Sequence, residues 1–187
     1  MTVKKGGFVM KNMSTQKLTK MAMLVAISIV LVYFIHFPIF PAVAFLEYDP
    51  ADIPILIGGF AFGPVAGILL TCITAIIQGV TVSAQSGVYG IIMHIIATSV
   101  LVGVASWIYF RKKTKKNAII GIAVGALAMT IVMIAANLVI TPLFMGVERS
   151  VVVQLMPFIA GFNVIKAGIN GLVTFLVYKR ISGFLHK

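Results

Sequence analysis

The sequence predicts an all-α polytopic membrane protein, a compact bundle of six transmembrane helices with both termini in the cytoplasm. Composition is the first observation: 60% of the 187 residues are hydrophobic and only 10% are charged, with a mean hydropathy of +1.11. Soluble domains are far more polar. Charge placement is the second, because thirteen of the fifteen Lys/Arg residues fall in three blocks that contain no acid.

These charges decide the number of spans. The basic blocks cover residues 4–20, 111–116 and 179–187, and the four acids are Glu47, Asp49, Asp52 and Glu148. With six spans and a cytoplasmic N-terminus, all three blocks lie inside and all four acids lie outside. Five spans would place the block at residues 111–116 outside, against the positive-inside rule.

The apolar runs give the six spans in order, since a crossing helix needs about 20 apolar residues. The runs are Leu18–Phe37, Asp52–Phe62, Pro64–Val82, Val88–Phe110, Asn117–Thr141 and Val153–Tyr178. Gly63-Pro64 separates the second from the third, because Pro64 cannot continue a helix and Gly63 permits a tight turn. We expect the short second helix to be tilted, or shielded from lipid by its neighbours.

The chain is expected to form a cytoplasmic leader, residues 1–16, and a single membrane domain, residues 17–187. A cleavable signal peptide is the alternative, since a basic leader, an apolar stretch and Ala42-Val43-Ala44 mimic one. The leader is long, however, and the apolar stretch runs close to full spanning length, which favours a retained helix.

Composition and motifs exclude several classes of function. The pI of about 10.1 does not indicate a nucleic-acid partner, because the basic residues lie at span ends rather than in an interleaved stripe. The single cysteine, Cys72, allows neither an intramolecular disulfide nor a thiolate cluster. No phosphate-binding loop, zinc-protease pair or nucleophile elbow occurs. We therefore expect no enzyme, cofactor or metal site.

Polar residues inside the spans indicate where a ligand binds. Five of them fall in the outer half of the membrane under this topology: Gln78, His94, Asn137, Asn163 and Lys166. Such residues are costly in lipid and usually face a cavity, so the bias predicts a cavity that opens outward. The alternative for Gln78 or Asn137 alone is a helix-linking hydrogen bond, and for His94 it is ordinary packing.

Lys166 is the strongest candidate. It shares one helical face with Asn163 and Asn170, at i, i+3 and i+7 spacing. A lysine in hydrocarbon must lose its proton or find acceptors. No acid lies inside any predicted span, so the candidate acceptors are ligand oxygens, backbone carbonyls at a helix crossing, or Glu47 folding in from the first outer loop.

That outer loop, residues 37–51, is apolar but interrupted by Pro38, Pro41 and Pro50, which exclude a regular helix. An apolar loop outside the membrane needs something to cover, so we interpret it as a lid over the cavity; packing against neighbouring loops is the alternative. Asp52, just beyond it, is predicted to cap the second helix, with Pro54 tolerated in the first turn.

Small residues four apart mark two faces where helices approach closely: Ala22-x-x-x-Ala26 and Gly121-x-x-x-Gly125, both at inner span ends. Internal packing is the common explanation for such pairs. Docking of a second protein is the alternative.

Taken with these features, the sequence resembles the substrate-binding (S) components of energy-coupling factor vitamin transporters, most closely the riboflavin-specific ones. The resemblance covers the chain from Lys17 to its C-terminus. It is carried by Ala22-x-x-x-Ala26, by the segment from Leu46 to Pro54 with Gly58-Gly59 following, and by Asn163-x-x-Lys166. It implies a prokaryotic plasma-membrane protein that captures a vitamin from outside and works with a transmembrane scaffold subunit and two cytoplasmic ATPases.

The resemblance also implies roles for individual residues. Ala22 and Ala26 correspond to positions that couple to the scaffold. The ligand contacts that it implies are Ala44, Leu46, Glu47, Asn137, Asn163 and Lys166, beside Gln78 and His94 from the cavity pattern. Riboflavin, as transported ligand rather than cofactor, fits this set: asparagine amides and an ammonium match the acceptors and N–H of its ring edge, and Glu47 suits the ribityl hydroxyls.

Two alternatives remain. One is an S component for thiamine, biotin, folate or a queuosine precursor; cationic thiamine fits badly beside Lys166, whereas an anionic ligand suits it. The other is a small intramembrane enzyme that uses Lys166 or His94. The absence of a base and nucleophile within helical reach opposes it.

Overall fold

The structure, a computed structural model, describes residues 14–185, and six α-helices make up most of this range. They are α1 (Thr15–Phe34), α2 (Asp52–Phe62), α3 (Pro64–Val80), α4 (Gly87–Arg111), α5 (Lys115–Met145) and α6 (Arg149–Leu185). The predicted six-helix bundle is confirmed. The leader expected at residues 1–16 lies almost entirely outside the described residues.

Helices α4, α5 and α6 extend past the apolar runs that predicted them, chiefly α5 and α6, whereas α1 and α3 end at Phe34 and Val80, short of the predicted Phe37 and Val82. An apolar run marks the part of a helix that lies in lipid, whereas backbone hydrogen bonding continues into the polar flanks. Local caps set the actual ends: the Ser14 hydroxyl accepts from Lys17 N–H, and Thr114 accepts from Asn117 N–H. Gly146, with φ of 65°, ends α5 in the left-handed region.

Helices α1, α4, α5 and α6 are each long and apolar enough to cross a membrane, while α2 and α3 have 11 and 17 residues. At 1.5 Å per residue, α2 is about 16 Å long, half of the hydrocarbon thickness. Nine of its 11 residues are buried, and it packs against α1, α3, α4 and α6. The expected shielding of this short helix from lipid is confirmed.

The turn between α2 and α3 is a single residue. Gly63 ends α2 and precedes α3 with φ of 104°, a conformation that a side chain would strain, and Pro64 occupies the first turn of α3. The Gly-Pro pair thus reverses the chain without a loop.

Apolar side chains from every helix form one central core, and many more face outward. Exposed examples on four different helices are Val30, Val65, Leu127 and Leu172, each more than half exposed. Such a surface would be an aggregation hazard in water. Here it is the lipid-facing surface of a multi-pass membrane protein.

The two small-residue pairs have different surroundings. A Cβ on Gly121 would lie 2.6 Å from the Ala105 carbonyl oxygen, and one on Gly125 would lie 2.7 Å from that of Leu101. The glycine pair therefore brings the backbones of α4 and α5 together, which is internal packing. Ala22 and Ala26, in contrast, are exposed on α1.

The outer loop, residues 37–51, folds back on itself. Two short antiparallel strands, β1 (Phe37–Pro38) and β2 (Glu47–Tyr48), pair with each other, and a 3-10 turn lies between them. Val43 is buried against Val152 and Ile159 of α6. The loop therefore rests on the outer end of α6 rather than projecting from the bundle.

Candidate ligand-binding site

A cavity lies beneath the outer loop, between α3, α4, α5 and α6. It encloses about 760 Å³ of space, a figure that includes the part open to solvent. Its polar lining includes Glu47, Gln78, Ser83, Ser86, His94, Asn163 and Lys166. Its apolar walls include Phe45, Leu46, Met93, Met129, Met133 and Phe162.

Most residues predicted to bind a ligand meet in this main cavity. Leu46, Glu47, Gln78, His94, Asn163 and Lys166 all line it. Ala44 is exposed at the end of the 3-10 turn and lines neither this cavity nor its neighbour.

Asn137 lies in that neighbouring cavity, which encloses about 360 Å³ and is bordered by Tyr89 and Phe144. The two cavities share five lining residues, which lie between them: Phe45, Leu46, Ser86, Gly90 and Met93. Inside α5, Asn137 donates to the Met133 carbonyl oxygen at 2.8 Å and accepts from the Thr141 hydroxyl at 2.7 Å.

The acceptor for Lys166 is Asp49, which corrects the prediction that named ligand oxygens, backbone carbonyls or Glu47. The Lys166 Nζ donates to Asp49 Oδ2 at 2.8 Å, and the two residues are 9% and 4% exposed. Asp49 was assigned to the aqueous outer loop. The loop instead turns into the bundle after β2 and carries this carboxylate inward.

Two opposing effects act on Asp49. Burial raises the pKa of a carboxyl group, but the adjacent Lys166 ammonium and the Ala51 N–H, 3.0 Å from Oδ1, favour the charged form. The net result is that the pKa of Asp49 lies below its ordinary value. Lys166 therefore has a resident counterion, and its charge is no longer an argument against a cationic ligand.

Asp52 is also placed differently from the prediction. Ala51, not Asp52, occupies the capping position of α2. The fully buried Asp52 carboxylate accepts from the Thr98 hydroxyl at 2.7 Å and from Asn170 Nδ2 at 3.1 Å. Its role is structural, as expected, but it holds α2 against α4 and α6 instead of capping the helix.

Two polar atoms of the cavity lining lack partners. Gln78 Oε1 and His94 Nε2 are buried without a hydrogen bond to any described residue, although His94 Nε2 lies 3.8 Å from Asp52 Oδ1. A buried polar atom left unpaired costs about 1–3 kcal/mol. Both therefore mark positions where a ligand's polar groups would be stabilised.

The sequence analysis missed Thr98, which lines the main cavity, and three residues that lie behind the lining: Tyr48, Asp49 and Asn170. Asn170 was visible on the face of Asn163 and Lys166, without an assigned role. Asp49 had a signal too, because a buried cation requires an anion and only four acids exist in the chain. Which of the four acids pairs with Lys166 depends on the path of the outer loop, which the sequence does not give.

Together these features define a membrane-embedded binding site for an organic small molecule, with a few fixed polar groups in a largely apolar cavity. Among residues 14–185, no three His, Cys, Asp or Glu side chains are grouped so as to hold a metal ion.

Comparison with known proteins agrees with this class. The family model described as "ECF transporter, substrate-specific component" matches residues 16–178. The chain belongs to this family of S components.

Similar curated proteins carry a narrower description. "Riboflavin transporter RibU" of Staphylococcus aureus (strain TCH60) is 31% identical over 94% of this chain and 96% of its own length. "Riboflavin transporter FmnP" of Bacillus subtilis (strain 168) is 26% identical over 94% of this chain and 96% of its own length. A solved structure described as "Structure and mechanism of the S component of a bacterial ECF transporter" superimposes with a TM-score of 0.80 and 28% identity, covering 94% of this chain and all of that one.

Proposed function

We propose that this S component binds riboflavin outside a prokaryotic cell and delivers it inward across the plasma membrane. The observation that carries the proposal is the main cavity, in which Asn163 and Lys166 lie beside the unpaired Gln78 and His94 atoms. The similar proteins described as riboflavin transporters support the choice of ligand.

The polar groups fit the edge of a flavin ring. An ammonium has three donors, and Asp49 takes one from Lys166, which leaves donors for ring carbonyls. Asn163 Nδ2 donates to the Ile159 carbonyl oxygen at 2.8 Å, so its own carbonyl oxygen is available to a ring N–H. Glu47 and Ser83, nearer the outer side, suit the ribityl hydroxyls.

Ala44 and Asn137 require the loop to move if they contact the ligand. Phe45 and Leu46 stand between the main cavity and Asn137. Met93 of α4 also lines both cavities, so a shift of the two loop side chains together with Met93 would give a tricyclic ring access to Asn137. Ala44 adjoins this wall and would move with it.

Transport requires partners, since the sequence has no ATP-binding loop. We propose a transmembrane scaffold subunit and two cytoplasmic ATPases. The exposed Ala22 and Ala26 on α1 would form the contact with the scaffold, because small side chains permit close helix approach.

The ligand is tested by the absorption spectrum of the detergent-purified protein, followed by extraction of any bound molecule. A yellow preparation that releases intact riboflavin is expected. A colourless preparation that also fails to bind added riboflavin would overturn the ligand while leaving the S-component class in place.

Substitution of Lys166 tests the site itself. Lys166→Met is expected to weaken riboflavin binding by about 10- to 100-fold, the range for losing a charged hydrogen bond. Adding Asp49→Asn removes the buried carboxylate that would otherwise lack a partner, so the double variant should recover stability without recovering affinity. Unchanged affinity in both variants would exclude Lys166 as a ligand contact.

A different vitamin is a second candidate, favoured by one observation: the Asp49 counterion means that Lys166 does not repel a cation. Competition of thiamine, biotin and folate against riboflavin decides between them. We expect none to displace riboflavin at equal concentration.

A further inference from the structure

The outer loop is attached to α6 at two separate places. One is apolar, where Val43 packs against Val152 and Ile159 near the start of α6. The other is polar and lies deeper, where Lys166 bonds Asp49 and where Asn170 bonds Tyr48 and Asp49 of the loop and Asp52 at the start of α2.

The Asn170 bonds form a compact set. Its Oδ1 accepts from the Tyr48 hydroxyl at 2.9 Å. Its Nδ2 donates to the Asp49 backbone carbonyl at 3.0 Å and to Asp52 Oδ2 at 3.1 Å. One fully buried amide therefore connects the last strand of the loop and the start of α2 to α6.

Asn170 does not line the main cavity, but the residues that it bonds contact or adjoin residues that do. Asp49 is bonded at its backbone by Asn170 and at its side chain by Lys166, so the position of Asp49 determines the direction of the Lys166 ammonium. Glu47, which lines the cavity, directly precedes Tyr48. A shift of residues 47–49 would therefore move Glu47 and the Lys166 ammonium, which belong to different parts of the cavity lining, at the same time.

We propose that Asn170 is a positioning residue, which with Tyr48 and Asp49 forms a clasp that keeps the outer loop closed over the cavity and Lys166 directed into it. Its effect on ligand binding rests on the proposed riboflavin function. The clasp as a lock on the loop does not depend on which ligand binds.

The simpler explanation is that Asn170 only contributes to the stability of the fold. The two explanations differ in what they change. A purely structural role lowers the melting temperature without a selective effect on the loop, whereas a clasp changes loop opening and ligand release more than it changes melting.

The matched control is Thr174→Val. Thr174 lies one helical turn deeper on α6 and is fully buried, and its hydroxyl has no hydrogen-bond partner among the described residues. The substitution replaces a buried polar side chain by an apolar one of similar shape without touching the loop.

The experiment compares Asn170→Leu, Tyr48→Phe and Thr174→Val with the unchanged protein in detergent. Riboflavin release is followed by the recovery of its fluorescence, and amide hydrogen exchange is followed for residues 40–51. For Asn170→Leu we expect release and loop exchange to be faster by about tenfold or more, since several buried bonds are lost. For Tyr48→Phe, which removes one hydrogen bond, we expect both release and loop exchange to be about two- to tenfold faster.

The proposal would be overturned if Asn170→Leu and Tyr48→Phe both show the same rates of loop exchange and riboflavin release as Thr174→Val. If Asn170→Leu does not fold, Tyr48→Phe alone decides in the same way. If the unchanged protein binds no riboflavin, the proposed function fails, but loop exchange in the variants still tests the clasp.

Discussion

The buried ion pair of Asp49 and Lys166 is favourable only while both charges are present. Removing one partner of a buried ion pair typically costs about 3–5 kcal/mol, because it leaves an uncompensated charge in a medium of low polarity. Replacing both is far less costly. The pair therefore specifies where the outer loop lies more than it adds to overall stability.

The pH dependence of this pair has a defined sign. Because the pKa of Asp49 is lowered from its ordinary 3.8, its stabilising contribution is complete above that value and is lost only as the pH falls through the lower, folded-state pKa. The titratable groups that act on it are Lys166 on α6 and His94 on α4, while Asp52 on α2 acts on Lys166.

We therefore expect the melting temperature of Asp49→Asn to lie below that of the unchanged protein at every pH from about 5 to 7, because Asp49 is charged there and Lys166 in the variant lacks its counterion. Thermal unfolding across this range measures the difference, and it should shrink only in stronger acid. A difference that already disappears near neutral pH would show that Asp49 is not held in its charged form.

Among the helices, α4 and α5 approach each other most closely at the glycine pair. The carbonyl oxygens of Ala105 and Leu101 occupy the space that side chains at positions 121 and 125 would need. Backbone atoms cannot rotate away as a side chain can, so any larger residue has to separate the two helices.

Gly125→Ala is expected to destabilise the protein by about 1–3 kcal/mol, the usual cost of overpacking. Gly168→Ala is the matched control, since a Cβ there meets no atom within 4 Å. That control should gain about 0.5–1 kcal/mol from the loss of glycine's flexibility in a helix. Thermal unfolding of both variants is the measurement, and equal shifts would contradict the close approach.

For the whole molecule, the exposed face of α1 with Ala22 and Ala26 lies away from the ligand cavity, which α3 to α6 and the outer loop enclose. The contact with the scaffold proposed for this face would therefore be separate in space from the ligand site. A change on α1 can interrupt transport without disturbing the site.

Ala26→Trp is expected to retain riboflavin affinity and to abolish riboflavin uptake in cells that supply the scaffold and ATPases, because the indole would block close helix contact. Leu127→Trp is the control, at an exposed apolar position on α5, and should leave uptake intact. Normal uptake by Ala26→Trp would mean that this alanine does not form the coupling contact.

The sequence by itself determined the six helices, the orientation inferred from charge, and most of the residues that line the cavity. Apolar length and charge placement add up along the chain and need no knowledge of contacts. The depths of Gln78, His94, Asn163 and Lys166 followed from the spans, so their shared position near the outer side was predictable.

Only the tertiary structure decided which groups pair. Lys166 bonds an acid 117 residues away, and Asn170 holds a loop that the sequence placed in water. Asn137 lies in a neighbouring cavity, and residues of that loop and of α4 stand between it and the main cavity. Hydrogen bonds and cavity walls depend on distances of a few ångströms between remote segments, and those distances are set by how the loop packs on α6.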